Sequence, residues 1–170
     1  MYKRYLQLSA LAAATQAAAS DHWAVIVAGS NQFYNYRHQA DTCHAYQIFK
    51  ANGIPEDHII HLAYDDIAHN PSNPFPGQLF NKPTPAGTPG VDVYAGCKID
   101  YKGNTVTADN VVKVLTGDTS AGGPVLQSNA NSDVFFYFSD HGAPGLVAMP
   151  VGPYLYADQL HQAFLTMHSK

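Results

Sequence analysis

The uninterrupted apolar run VFFYF at residues 134–138 constrains the fold of this chain most strongly. Because no polar residue alternates with its side chains, the run predicts a strand buried on both faces of a parallel sheet. The polar segment Ser139–Gly142 follows it directly. Ligands of open α/β sheets bind beyond the carboxyl ends of such strands, so His141 is predicted to lie at a functional edge.

The chemistry of residues 141 and 142 fits a catalytic role. Imidazole titrates near neutrality, which suits His141 to act as a general base or to activate a thiol. Gly142 allows close approach of the backbone, and a free N–H there can help to hold an oxyanion. The alternative is that His141 is an ordinary polar residue that ends a strand.

Length and composition indicate one globular domain and exclude some partners. The chain has 170 residues, of which 46% are hydrophobic and 13% charged, so it is not a disordered sequence. Its net charge is -4 and it has no basic block. Nucleic-acid binding needs a clustered Lys/Arg face and is therefore not expected.

The first 19 residues have the form of a signal peptide. Lys3 and Arg4 precede a run rich in Ala and Leu that ends in small residues at 17–19. Membrane spans need about 20 apolar residues, so no span is expected. We therefore predict entry to the secretory route, with the domain part of the chain at residues 20–170. The alternative for residues 1–19 is an Ala-rich helical extension.

The two cysteines, Cys43 and Cys97, allow one pairing in an oxidising compartment. Cys43 lies in a helical pattern and fits a small core residue. Cys97 lies in a turn-rich stretch and could be a mildly activated surface thiol, but an ordinary structural role is favoured for both cysteines. The sequence leaves their pairing open.

Strand and helix patterns alternate from residue 22, which predicts an α/β fold with a mostly parallel sheet. Residues 68–104 interrupt the alternation with a long Pro-rich loop, in which a short hairpin is predicted around 91–101. The other predicted elements are strands at 23–28 and 58–62 and helices at 36–51, 108–115 with Thr107 as N-cap, and 156–168.

A second polar cluster, residues 31–38, follows the first predicted strand. In a parallel sheet it opens on the same edge as His141, so Asn35 could orient the imidazole. Arg37 and His38 could donate hydrogen bonds to an amide or carboxylate of a substrate. The alternative is a solvated loop in which one asparagine caps a helix.

Motifs for other chemistry are missing from the sequence. It has neither the three spaced glycines of dinucleotide sites nor a Gly-x-Ser-x-Gly elbow. His58 and His61 would face opposite sides of a strand, and no Cys-x-x-Cys or His-Glu-x-x-His occurs, so neither a zinc site nor a cofactor is expected.

The sequence closely resembles the legumain family of cysteine endopeptidases over about residues 22–168. The matching segments are WAVIVAGSN at 23–31, YNYRHQAD at 34–41, HAY at 44–46, NGIP at 52–55, YDDIA at 64–68, NP at 73–74, DVY at 92–94, DHG at 140–142 and PYLY at 153–156. The resemblance implies a caspase-like three-layer α/β fold and cleavage of peptides after asparagine, or after aspartate at acidic pH. It also implies that the protein is located in a vacuole, in a lysosome or outside the cell.

The resemblance also implies roles for individual residues. His141 would be the catalytic histidine, Gly142 an oxyanion donor and Asn35 the residue that orients the histidine. Arg37 and His38 would form part of the pocket for the substrate asparagine, and Asp140 would match a position implicated in ligation.

The family's nucleophile lies in a Glu-Ala-Cys segment on a strand after the last helix, and these 170 residues do not contain it. We therefore expect a caspase-like fold that is incomplete in its C-terminal half, inactive alone, and poorly soluble because VFFYF would form an open edge. The alternatives are a catalytically dead peptide-binding or non-functional homologue and the catalytic subunit of the lipid-anchor transamidase.

Overall fold

The computed structural model describes residues 21–170, so the signal peptide predicted at 1–19 lies outside the described residues. The strands are β1 Asp21–Ala28, β2 Ile59–Leu62, β3 Ser132–Ser139, β4 Gly142–Ala143, β5 Leu146–Val147 and β6 Leu155–Tyr156. The helices are α1 Tyr36–Ala51, α2 Ala108–Thr116 and α3 Ala157–His168. Short 3₁₀ turns occupy Phe33–Asn35, Glu56–His58, Gly103–Thr105 and Thr119–Ala121. Both bounds of α1 agree with the prediction, and Thr107 caps α2 by accepting a hydrogen bond from Asn110 N–H.

Three parallel strands form the main sheet in the order β2-β1-β3. In this register Val25 lies opposite Ile60 on one side and Phe136 on the other. Residues 23–28 of β1 are all buried, as an apolar strand between two neighbours must be. The predicted parallel α/β sheet is confirmed.

Helices cover both faces of this sheet. Because successive side chains of β1 point to opposite faces, Ala24 and Ile26 pack with Tyr46 of α1. Val25 and Val27 pack in the larger core cluster with residues of α2 and α3. The result is three layers, and this arrangement agrees with part of a caspase-like fold.

The prediction that VFFYF is buried on both faces is wrong. Val134, Phe136 and Phe138 pack against the larger core, but Phe135 on the opposite face is 53% exposed. Among the described strands, β3 pairs only with β1 and is therefore an edge. On this face Phe49 of α1 contacts Phe135 with ring centroids 5.1 Å apart, and Tyr137 packs partly buried against the cluster that contains Tyr46.

The Pro-rich loop forms no hairpin at 91–101, which corrects the second expectation for this region. Its regular pairing is limited to single bridges between Phe80 and Asp92 and between Leu62 and Tyr101. A disulfide joins Cys43 of α1 to Cys97, with an S–S distance of 2.13 Å. The alternative of an activated surface thiol at Cys97 is thereby excluded, because the turn at Gly96 places Cys97 against α1.

A small antiparallel sheet, β4-β5-β6, carries the chain from the end of β3 to α3. The sequence pattern does not predict this sheet, since each of its strands has only two residues. Within residues 21–170, every helix is too short or too polar to cross a lipid bilayer.

Candidate active site

The two polar clusters meet at one edge of the main sheet, as the strand pattern predicts. Ala28 and Ser139 are paired at the carboxyl ends of β1 and β3. The backbone N–H of Gly29 donates to Ser139 O at 3.1 Å, which extends the pairing by one residue. Residues that follow β1 are thereby held beside residues that follow β3.

His141 contacts Asn35 across this edge. His141 Nε2 lies 2.9 Å from Asn35 Oδ1. The Asn35 amide is itself oriented, because its Nδ2 donates to Asn31 O at 2.9 Å. The atom facing the imidazole is therefore the carbonyl oxygen, an acceptor, and His141 must donate from a protonated Nε2.

This hydrogen bond leaves the lone pair of His141 on Nδ1. Arg37 Nη2 also lies 3.4 Å from His141 Nε2, but both atoms are then donors, so this contact is not a hydrogen bond. We assign the tautomer from the shorter contact with Asn35. His141 and Arg37 are both exposed, so the free ring nitrogen and the guanidinium can reach a substrate.

His38 is buried behind His141. Its Nδ1 is hydrogen bonded to Ser30 Oγ at 2.7 Å and lies 3.2 Å from Asp140 Oδ1. The edge-to-face contact between the rings of His38 and His141 has a centroid distance of 4.9 Å. Burial, followed by the charge of Arg37, lowers the pKa of His38 below its ordinary value, whereas Asp140 opposes the shift.

The side chain of Asp140 is fully buried, with 0% exposure. Neither of its carboxylate oxygens has a hydrogen-bond partner among the described residues, because the approach of His38 at 3.2 Å has unsuitable geometry. Gly29 makes this packing possible, since a Cβ there would lie 2.7 Å from Asp140 Oδ2 and 2.6 Å from Ala148 O. Asp140 is therefore a buried acidic group without a hydrogen-bond donor.

Gly142 is the first residue of β4 and lies opposite Val147. Ala148 N–H donates to His141 O at 3.0 Å, so the flanking residues form the hydrogen-bonded pair. In an antiparallel ladder the next pair is then not hydrogen bonded, which directs the Gly142 N–H away from β5. This N–H is available to an external acceptor.

A shallow cleft of about 230 Å³ adjoins these groups and is lined by His141, Gly142, Ala143, Leu146, Ala148 and Tyr154. A larger cavity of about 500 Å³ lies between α2 and α3, and none of the predicted site residues lines it. Of the predicted site residues, His141 and Gly142 thus border the smaller cleft, whereas Arg37 and His38 are not among its lining residues.

Three supporting residues were missed by the sequence analysis. Ser30 binds His38, Gly29 makes room for Asp140, and Asp41 of α1 accepts a hydrogen bond from Ser139 Oγ at 2.9 Å. Ser30 and Gly29 directly follow a buried strand, a position that could have drawn attention to them. Asp41 ends the segment 34–41 that resembles the legumain family, but nothing in the local pattern predicts its contact with β3.

Two groups of residues in the described part of the chain have the spacing of metal ligands. One consists of Cys43, Cys97 and His61, but its two sulfurs form the disulfide and cannot act as thiolate ligands. The other consists of His38, Asp140 and His141, whose ligand atoms lie within 4.8 Å of one another.

Comparison with known proteins shows the family. Residues 22–170 match the sequence model of the peptidase C13 family. The chain belongs to the peptidase C13 family. The predicted resemblance to legumain is thereby confirmed.

Curated relatives of this C13 chain come from animals and plants. Hemoglobinase of Schistosoma mansoni is 52% identical over 150 residues, which cover 88% of this chain and 34% of the relative. Legumain of Rattus norvegicus is 53% identical over 134 residues, 76% of this chain and 30% of the relative. The vacuolar-processing enzyme of Vicia sativa is 48% identical over 151 residues, which cover 86% of this chain and 30% of the relative. The chain thus spans about a third of the length of these relatives.

Neither cysteine of this C13 chain is available as a nucleophile. The sequence has two cysteines, and both belong to the disulfide. The imidazole, the amide that orients it and the free N–H lie together, but no thiol lies with them.

Proposed function

We propose that this chain forms the histidine side of a cysteine endopeptidase site. The hydrogen bond between Asn35 and His141 is the observation that carries the proposal, because it leaves the Nδ1 lone pair free to accept a proton. A thiol outside these residues would give its proton to Nδ1 and attack the scissile carbonyl. His141 would then return the proton to the leaving amine.

The Gly142 N–H would stabilise the oxyanion that forms during this attack. Its direction away from β5 and its position next to His141 support that role. One donor of this kind contributes about 3 kcal/mol to transition-state stabilisation in other hydrolases.

Cleavage after asparagine is the specificity that we propose. Arg37 is exposed beside His141, and its guanidinium can donate to the side-chain carbonyl of a substrate asparagine. His38 is buried and bonded to Ser30, so it would contribute from beneath the pocket. For Asp140 we retain the proposed link to peptide ligation, for which its burial beside both histidines is the support.

We propose that the protein follows the secretory route to a vacuole or lysosome, or to the exterior. The disulfide supports passage through an oxidising compartment. The similarity to proteins named vacuolar-processing enzymes supports the vacuolar destination.

A chimera tests the proposed catalytic function. Residues 22–170 replace the matched segment of Schistosoma mansoni hemoglobinase, with which they share 52% identity. We expect the chimera to hydrolyse a peptide with asparagine before the scissile bond and to discriminate against glutamine. His141→Ala should reduce kcat/KM by about 10²–10⁴-fold, the usual contribution of an acid–base residue.

His161→Gln is the matched control, because His161 is an exposed imidazole on α3. It should leave the hydrolysis rate unchanged. A folded chimera that is inactive, or one whose His141→Ala variant keeps full activity, would contradict the proposal.

Peptide binding without cleavage is the second candidate, and the paired cysteines favour it for these 170 residues alone. Titration of the chain with a fluorescent asparagine peptide distinguishes the two. Saturable binding that Arg37→Ala weakens, without any cleaved product, would support this candidate.

A further inference from the structure

The buried carboxylate of Asp140 is the starting point for an inference about metal binding. A carboxylate removed from water is costly unless charge or hydrogen bonds compensate it. Its side chain is 0% exposed and its two oxygens have no hydrogen-bond partner among the described residues. A cation would supply the missing compensation.

The neighbours of this carboxylate are two imidazoles, one buried and one exposed. His38 Nδ1 lies 3.2 Å from Asp140 Oδ1, and an ion bound to this nitrogen would replace its hydrogen bond to Ser30 Oγ. Two ligands about 2.0–2.1 Å from one tetrahedral zinc ion are separated by about 3.3 Å, so this pair already has the required spacing. All three ligand atoms of the group lie within 4.8 Å of one another.

The kind of ligand selects the kind of ion. Two imidazole nitrogens and one carboxylate oxygen suit zinc and similar transition metals, whereas magnesium and calcium prefer oxygen ligands throughout. Three protein ligands leave a fourth tetrahedral position for water. The exposed side of His141 lies next to the cleft, where that position would open.

We propose that His38, Asp140 and His141 form a binding site for a zinc-class divalent ion. The ion would occupy the free nitrogen of His141. If His141 transfers protons as proposed above, a bound ion would block the reaction reversibly; this consequence rests on the proposed function, whereas binding itself does not.

The full 170-residue chain is suited to the test, because binding needs no thiol. Zn²⁺ is titrated calorimetrically at pH 7, and Co²⁺ is used as a spectroscopic probe. We expect one site with a dissociation constant below about 100 µM and visible absorption of four-coordinate cobalt. X-ray absorption should show nitrogen or oxygen ligands at about 2.0–2.1 Å from zinc.

Substitutions decide whether binding occurs at this site. Asp140→Asn keeps the shape but removes the charge, and His141→Gln changes an exposed side chain. Each should weaken Zn²⁺ binding by at least about tenfold and abolish the cobalt spectrum. His161→Gln should leave both unchanged.

Several results would overturn the inference. They are the absence of a Zn²⁺ site in the folded chain, a cobalt spectrum that lacks four-coordinate absorption, or affinity unchanged by His141→Gln. If Asp140→Asn fails to fold, His141→Gln alone decides. If the chimera is active but the 170-residue chain binds no zinc, only the metal-site proposal is refuted. If the chain binds zinc but the folded chimera is inactive, only the peptidase proposal is refuted.

Discussion

The state of a single imidazole determines what chemistry this site can perform. Asn35 is uncharged, and its effect on His141 comes from one hydrogen bond. Because Asn35 Oδ1 faces Nε2 of His141, the proton is assigned to Nε2. Neutral imidazole has two tautomers, and only the one protonated on Nε2 leaves a lone pair on Nδ1. The proposed function therefore depends on an amide oxygen that takes no part in the reaction itself.

Removal of that oxygen should allow His141 to adopt both neutral tautomers. In Asn35→Ala we expect the ¹⁵N chemical shifts of His141 at neutral pH to change from those of one tautomer to those of a mixture. In the active chimera kcat should fall by about 10–100-fold, with a smaller change in KM. Asn52→Ala, an exposed amide at the end of α1, is the control. A tautomer that stays fixed without Asn35 would show that another group orients the ring.

At the scale of elements, the disulfide links the Pro-rich loop to α1. It closes a segment with a sequence separation of 54 residues. The loop otherwise depends on side-chain contacts, such as the three hydrogen bonds that Asn73 Nδ2 donates to backbone carbonyls. The covalent link thus fixes a long irregular segment that lacks a ladder of its own.

Loss of this link should destabilise the chain. For a loop of this size, chain entropy predicts that Cys43→Ser with Cys97→Ser lowers the free energy of unfolding by about 4 kcal/mol. Urea unfolding measures the loss, and thiol labelling of the unreduced, denatured parent should detect no free cysteine. Reactive thiols in the parent protein would contradict the pairing.

β3 has an unpaired edge, since among the described strands it pairs only with β1. A flat apolar edge pairs readily with other chains, so the poor solubility expected from the sequence stays a prediction. Phe135→Lys should raise the soluble concentration several-fold and reduce light scattering. Tyr34→Lys adds the same charge at an exposed aromatic position away from the edge and should change neither. An equal effect of both variants would assign the gain to net charge alone.

Particular elements show how far the sequence determines this structure. The helix at 36–51 and the strand at 23–28 were predictable because period and end signals agree there. The partial exposure of VFFYF was not, because an apolar run does not state how many neighbours a strand has. The contact of Asn35 with His141 followed from topology, but the tautomer needed the hydrogen bond to Asn31. Which nitrogen of His141 carries the lone pair could therefore not be predicted from the sequence alone.

For the molecule as a whole, the response to acid depends on a histidine outside the site. His61 of β2 is fully buried, and burial lowers its pKa from 6.5 to about 4. Its Nδ1 is bonded to Lys98 O at 3.1 Å, whereas Nε2 has no partner among the described residues. Below pH 6.5 the unfolded chain therefore binds a proton that the folded chain does not.

This difference has a definite sign. As pH falls from 6.5 to about 4, the native state should lose on the order of 3 kcal/mol through His61. His61→Leu should remove this part of the pH dependence in urea unfolding measured at several pH values, whereas His161→Gln should retain it. A slope that His61→Leu leaves unchanged would contradict the assignment.

The pairing of β1 with β3 also has a consequence during synthesis. The contact of Asn35 with His141 joins residues 106 apart in the sequence. At 5–20 residues per second, roughly 5–20 s separate the appearance of the amide from that of the imidazole. Over that interval β1 and α1 exist without β3, so the nascent chain exposes the apolar edge of β1 with which β3 later pairs. Because His141 follows β3 directly, its contact with Asn35 can form only after β3 has been synthesised and has paired with β1.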